Sequence, residues 1–559
     1  MNIPYENIKP HFDGKAGLIA GLAQQIGVDR IFNEALEKHT GRPTEVPYGT
    51  AAQMLLINIA DEHHPLSRLE EYFERVDTET LFGHSVDHTK LTEDRFGSLL
   101  DAMAEFGPNE LLSNVSVAAF KRYGIKLSNV NFDTTSKVMW GEYKAEEGKL
   151  ESFEITFGYS KQKRFDKKQM MLSLGTTQGI CIDGQILSGN TNDKRYNVDN
   201  LDRAKALRDK YETDSDDFFY IADSAAFTLE FLEKARSMSI HAITRMTDNV
   251  IEAKDAIRRV VDSLETLPVV SIETAKEPTK YRIMDATCDY HGIPLKMACC
   301  YSTNLEPQKR QTIVKKAAKE QAEISGALSR LEKREFACLE DATIEVKKFE
   351  QTIASKLKYH GAELSIQAHG KKRVGRPSKK VDPEAEKVVY QIQFVLSENA
   401  EAIEDQIKRE CVFIVVSTKL EMTSEEILRE YKTQSAVERN FQFLKSPQFI
   451  SSFYLNSPKR IEALGYLLLI LMVILSVAEH VVRRELAKEK EIIIGPGKVK
   501  MARPSLIAIY RIFYSVTTVS ILLSGQRQRG FTKPLAPNVK KVLECLEIPE
   551  SIYIRGGIF

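Results

Sequence analysis

The sequence predicts an α/β protein, with a mixed-sheet core that a large insertion interrupts and a helical region that precedes it. Three observations point there. Apolar residues recur at helical spacing through about residue 125, the period then changes to that of strands over 128–188, and a strand-like run returns at 411–418 after a long, charged, irregular stretch.

KAGLIAGLAQQIGVDRIFNEAL and LSRLEEYFERV carry the 3–4 spacing of helices, and Gly107-Pro108 ends one helix and starts another. His63-His64 has no partner at ligand spacing and reads as a loop or cap. NVNFD then alternates, with Val130 and Phe132 on one face and Asn131 and Asp133 on the other. ESFEITFGYS and MMLSLGTTQGICIDGQILSG follow, the second broken at Thr-Gln-Gly, so an antiparallel meander of three sequential strands is expected. DKRYNVDNLDRAKALRDKYE reads as a helix, FFYIAD (218–223) as a buried parallel strand, AFTLEFLEKARSMS as a helix and HAITRM as a strand. The insertion, 250–405, holds a charged helical stretch at about 306–350. The expected segments are 1–125, 126–249, 250–405, 406–490 and 491–559, the last without a legible role.

The bulk properties narrow the function classes. With 559 residues, three or four domains are expected, and 43% hydrophobic content can fill large cores. Lys plus Arg and Asp plus Glu number 78 each, so any surface for a polyanion must be local. Seven cysteines without a CxxC pair argue for reduced thiols in a cytosol and against a disulfide framework or zinc site. The N-terminus has no apolar signal segment. LGYLLLILMVILSVA (464–478) is shorter than the roughly 20 residues of a membrane span, and a helix buried on all sides is expected, with no membrane role.

Two acids stand at strand ends, Asp133 and Asp223. Side chains at the carboxyl ends of strands line the functional crevice of an α/β sheet, and neighbouring strands lie only about 4.8 Å apart. A third acid comes from YKTQSAVERNFQFLK (431–445). Read as one helix at about 100° per residue, it places Gln434, Glu438 and Lys445 near −60°, −20° and −40° from Tyr431, one polar stripe. Such a stripe faces water in most helices, and strand-end Asp is common in turns and caps. If the three acids converge, their repulsion calls for a cation, and hard Mg²⁺ suits all-oxygen ligands. Two such ions serve phosphoryl transfer, with Lys445 and Tyr431 placed to hold phosphate or stack on a base.

The pattern resembles the DDE transposases of bacterial insertion sequences, in the group marked by a Tyr-Arg-Glu-Lys signature spaced Y-x2-R-x3-E-x6-K. Tyr431, Gln434, Glu438 and Lys445 match every spacing and three of four residue types, with Gln434 where Arg is expected. FDTTSKVMWGEY, FGYSKQKRFDKKQ, LSGNTNDK, YIADSAAF with ITR at 243–245, and PHFDGKAGLIAGL to LTEDRFGSLLDAM look like blocks of the same group, so the resemblance covers most of the chain. It implies an RNase H-like core interrupted between the second Asp and the Glu. It implies that Asp133, Asp223 and Glu438 are catalytic and hold two Mg²⁺ ions, with Mn²⁺ as a substitute. It implies cleavage at transposon ends, strand transfer into target DNA, a homodimer on paired ends, and a cytoplasmic, nucleoid-associated bacterial protein. End recognition is expected of the helical N-terminal region, in which no helix-turn-helix is legible. An RNase H-like nuclease without strand transfer and a domesticated, non-catalytic DNA-binding protein stay open as alternatives.

Three further stretches carry DNA-contact expectations. KKRVGRPSKK (371–380) resembles an AT-hook, in which Arg376 enters a narrow minor groove while Lys372 and Arg373 meet phosphates; a basic linker is the plain alternative. KQKRFDKK (161–168) is a basic run on an expected hairpin, and Arg245 ends a strand near the acids as a phosphate contact.

Overall fold

The structure is a computed structural model that describes residues 7–37, 45–61, 63–141, 143, 153–272, 278–353, 357–371, 387–445, 455, 457–523 and 525–555. It divides into two compact units, Met1–Thr244 with Glu430–Phe559, and Arg245–Arg429.

The first unit is built on strand β1 (Ile8–His11), helices α1 (Gly14–Ile26), α2 (Tyr48–Asp61) and α3 (Pro108–Tyr123), and strands β2 (Asn129–Val138), β3 (Gln169–Thr177) and β4 (Ile180–Ser188). Helix α4 (Asp193–Lys210) and strands β5 (Phe219–Ala222) and β6 (His241–Arg245) follow. Helix α5 (Ser424–Lys432) begins in the second unit and ends in the first, followed there by helices α6 (Ser435–Leu444) and α7 (Pro458–Glu489), then strands β7 (Thr518–Leu523) and β8 (Gln526–Phe531). The central sheet runs β4-β3-β2-β5-β6. The β2–β3 and β3–β4 pairs are antiparallel, and β2–β5 and β5–β6 are parallel. An antiparallel meander extended by parallel strands is the order of an RNase H-like core, and the α/β expectation holds, helical N-terminal region included.

ESFEITFGYS is not the strand its alternation suggests. Over its described residues only Thr156 bridges to the sheet, at Gln169. The segment crosses so close to the end of β4 that a Cβ on Gly158 would lie 2.0 Å from the Gly189 carbonyl oxygen. The meander is therefore β2, β3 and β4.

The apolar run lies inside α7, which is long and apolar enough to cross a membrane, yet 94% of its apolar window is buried within the fold. It lies directly on β4 because a glycine on each element leaves room for a large side chain of the other: a Cβ on Gly465 would come within 2.7 Å of Ile186, and one on Gly184 within 3.0 Å of Leu469. Ser476 Oγ accepts a hydrogen bond from the Cys181 backbone N–H at 3.0 Å, tying the same two elements.

The two ends of the chain share this unit. β1 pairs antiparallel with β7, Ile8 opposite Ile521, and β7 pairs with β8. Tyr553, fully buried, donates to the Gly14 carbonyl at 2.8 Å.

The second unit has a four-stranded antiparallel sheet in the order Val412–Ser417, Ile293–Ser302, Thr279–Tyr290, Val269–Ile272. Its charged stretch is two helices, Glu306–Glu332 and Leu339–Thr352, beside a sheet of Glu335–Phe336, Lys387–Glu398 and His360–Lys371.

Candidate active site

The register of two parallel strands sets the first two acids. Asn129 stands opposite Phe219, Val130 opposite Tyr220 and Asn131 opposite Ile221, a constant offset of 90 residues. Asp133 and Asp223 keep the same offset, so the ladder carried on by two residues brings them side by side. The apolar face holds that register, because Phe132 stacks on Tyr220 with ring centroids 4.7 Å apart. A one-residue slip would send every side chain to the wrong face.

Asp223 leaves β5 at its carboxyl end. Its Oδ1 accepts from the Ala225 N–H at 2.9 Å, and its carbonyl accepts from Thr244 Oγ1 at 2.6 Å. Asp133 is less exposed, with 27% of its side chain accessible, and accepts from the Thr134 N–H at 2.7 Å. Burial pushes its carboxyl from 3.8 up to about 6; Lys161 opposes the rise, and Asp223 and Asp193 add to it.

Lys161 and Asp193 are the site residues sequence reasoning missed. The Lys161 ammonium lies 3.8 Å from both Asp133 Oδ1 and Asp193 Oδ2 and donates to the Thr134 carbonyl at 2.6 Å. Asp193 also accepts from Thr134 Oγ1 at 2.6 Å. Lys161 lies in FGYSKQKRFDKKQ and Asp193 in LSGNTNDK, but nothing in their spacing ties them to Asp133.

The stretch 431–445 is not one helix. α5 ends at Lys432 and α6 starts at Ser435, across a joint of successive i→i+3 bonds: Thr433 to Glu430, Gln434 to Tyr431, Ala436 to Thr433 and Val437 to Gln434. Thr433 makes the joint, since its hydroxyl bonds back to the Glu430 carbonyl at 2.6 Å and lies 3.0 Å from Asn131 Oδ1. Turns of this kind advance about 120° per residue, so four of them rotate Tyr431 roughly 80° off the stripe. Gln434 sits at the N-cap of α6, while Glu438 and Lys445 remain on one face.

That stretch follows β2 along one face. Asn129, Asn131, Asp133 and Lys137 share the face by the period of two. Glu430 accepts from Asn129 Nδ2, Thr433 meets Asn131, and Lys445 stands near enough to Lys137 to help burial lower its ammonium's pKa. Glu438 lies on a helix that packs on β2, β3 and β4. Its side chain is exposed, and among the described residues no group of three or more His, Cys, Asp or Glu comes together at metal-binding spacing. Three carboxylates repel one another, and in this structure Glu438 stays in solvent and does not join the pair. Lys445 is held below the usual lysine range, by burial first and by Lys161 second, against the pull of Asp133.

Arg245 belongs to the second unit, where it pairs with Asp248 at 3.3 Å and lies 6.0 Å from the centre of the Phe413 ring. Lys372, Arg373 and Arg376 lie outside the described residues.

Comparison with known families now bears on these positions. The family model of the transposase DDE domain matches residues 136–474, more than half of the chain. The chain belongs to the DDE transposase family. A second model, a domain of unknown function (DUF4277), matches residues 12–117 of this transposase. No curated protein matches it. Among solved structures it is similar to piggyBac transposase in a synaptic complex with hairpin DNA, at 10% identity and a TM-score of 0.36, covering 91% of this chain and 81% of that one. It is also similar to Mos1 transposase in a paired-end complex with the left transposon end, at 13% identity and a TM-score of 0.15, covering 37% and 60%. The family match begins three residues beyond Asp133. The transposase is a DNA-binding enzyme that cuts and moves DNA, of a family that uses divalent metals.

Proposed function

We propose that Asp133, Asp223 and Glu438 form the catalytic carboxylate set of this transposase. The reaction is hydrolysis of a phosphodiester at a transposon end, which frees a 3′-OH, followed by in-line attack of that hydroxyl on target DNA with a second 3′-oxygen leaving. The carrying observation is the 90-residue register of three residue pairs between β2 and β5, an offset that Asp133 and Asp223 also keep. The donors are all carboxylate oxygens, and Asp133 is poised to gain from a cation, because burial and two neighbouring carboxylates hold its proton on to about pH 6. Two Mg²⁺ ions bound by the three acids would supply activation of the attacking oxygen and stabilisation of the leaving one.

The protein's own groups do the rest. Lys161 balances Asp133 and Asp193 before substrate arrives. Lys445, level with the lower end of the same face and partly deprived of water, is placed for a phosphate oxygen. Tyr431 and Gln434 lie at the joint, where Gln434 offers a neutral donor in place of a charged clamp. In the second unit, Arg245 and the segment carrying Lys372, Arg373 and Arg376 contribute DNA contacts. Two copies of the chain hold paired ends, one end each.

The test is cleavage and joining with a plasmid that carries the DNA flanking the gene. Glu438→Gln and Asp223→Asn should abolish nicking with Mg²⁺ or Mn²⁺ while leaving duplex binding in EDTA within twofold. Wild-type nicking by Glu438→Gln would overturn the assignment, and nicking without joined product would select the nuclease reading.

A further inference from the structure

A chain with no net charge still builds one strongly basic cleft. In the first unit, a cavity of about 710 Å³ opens beside the β3–β4 turn, between α6 and the carboxyl-terminal half of α7. Four arginines line it, Arg439, Arg483, Arg484 and Arg503, with His480 and a single acid, Glu479. They come from three separate parts of the sequence, so no basic run announces them.

Two of the four arginines have carboxylate partners and two do not: Arg484 pairs with Glu485 at 2.9 Å and donates to the Tyr123 carbonyl at 2.9 Å. Glu479 is spent on Arg483 at 2.6 Å and on the Leu506 N–H at 2.8 Å. Arg439 meets only the Ser435 hydroxyl, at 3.3 Å, and Arg503 makes no hydrogen bond or ion pair among the described residues. Both are exposed. The guanidinium of Arg483 is held below its ordinary range, by burial first and then by Arg503 and Arg439 on either side, despite Glu479. Four guanidinium groups gathered in one cleft, two of them, Arg439 and Arg503, exposed and without a carboxylate partner among the described residues, suit a polyanion that brings several phosphates at once. Arg439 also follows Glu438 directly, about 100° around the same helix, so a backbone passing the acids can continue into the cleft.

We propose that this arginine-walled cleft is a second DNA contact, gripping backbone phosphates of the duplex without reading sequence. It lies apart from the signature stripe and needs neither metal nor chemistry. A failure of the carboxylate assignment would leave it standing.

The experiment measures full-length protein binding to a 40-base-pair duplex in EDTA from about 50 to 300 mM KCl. Each phosphate contact contributes about 0.9 to the slope of log K against log salt. Arg439→Gln with Arg503→Gln should lower the slope by about 1.8 and weaken binding roughly 60-fold at 0.1 M salt, for any sequence tested. Arg439→Lys with Arg503→Lys should restore most of it, since lysine also pairs with phosphate. On the wild-type protein, the duplex should shield Arg439 and Arg503 from phenylglyoxal, read by mass spectrometry. An unchanged slope with unshielded arginines would overturn the proposal. So would an unchanged slope in the Gln variant together with shielding of Arg439 and Arg503 in the wild-type protein by inorganic phosphate but not by the duplex, which would mark a small-anion site.

Discussion

Asp133→Asn should make this transposase more stable while removing its activity. The folded carboxyl releases its proton at about 6 instead of 3.8, chiefly because it is buried. Below pH 3.8 both folded and unfolded states hold the proton, and ionisation costs nothing. Between 3.8 and 6 the unfolded chain ionises first, so stability falls as pH rises through that window. Above it the full cost persists, about 3 kcal/mol for roughly two pH units. Asn keeps an Oδ1 for the Thr134 N–H and never ionises. The variant should therefore exceed the wild type by up to about 3 kcal/mol at pH 8 and match it at pH 3.5. If the first unit melts as one body, that is roughly 4 °C. Scanning calorimetry on both proteins at the two pH values gives the double difference. Adding Mg²⁺ at pH 8 should raise the melting temperature of the wild type and not of the variant. A variant less stable at pH 8, or an advantage that grows as pH falls, would refute the reasoning.

Three other outcomes follow from the same coordinates. Lys161→Ala removes the cation that opposes the rise at Asp133, so the acid limb of the cleavage pH profile should move to higher pH; a limb that stays in place would detach Lys161 from the site. Asp183→Ala strands the half-buried guanidinium of Arg203, which now forms a two-pronged pair between β4 and α4, and should cost about 3–5 kcal/mol, read as a lower urea midpoint. Gly17→Ala puts a Cβ 2.2 Å from the buried Tyr553 ring and should cost about 1–3 kcal/mol, read as a lower melting temperature.

Local pattern was enough to find the centre of the fold. NVNFD alternates because one face of β2 packs on Tyr220 while the other carries polar groups, and FFYIAD is continuously apolar because β5 is covered on both faces. Asp223 does follow the end of β5, but Asp133 lies mid-strand, because β2 runs on through Val138 against β3 instead of closing at the aspartate. What the sequence hides is set by partners far along the chain. The joint at Thr433 depends on Asn131, 302 residues earlier, and a helical wheel has no means of seeing it. ESFEITFGYS alternates like a strand but meets a backbone at Gly189 that denies it a ladder. Lys161 reaches Asp133 and Asp193 through a loop whose path periodicity does not encode. The basic cleft gathers arginines from three places in a chain whose charges cancel overall.

The pairing of β1 with β7 sets a timetable for biosynthesis. His11 finds its partner in Thr518, so the first strand emerges from the ribosome long before its mate. At 5–20 residues per second that interval is roughly 25 to 100 seconds. Throughout it α1 lacks the Tyr553 ring that covers Gly17. Nascent chains halted anywhere before about residue 518 leave that opening strand unsatisfied, which exposes them to proteases and chaperones.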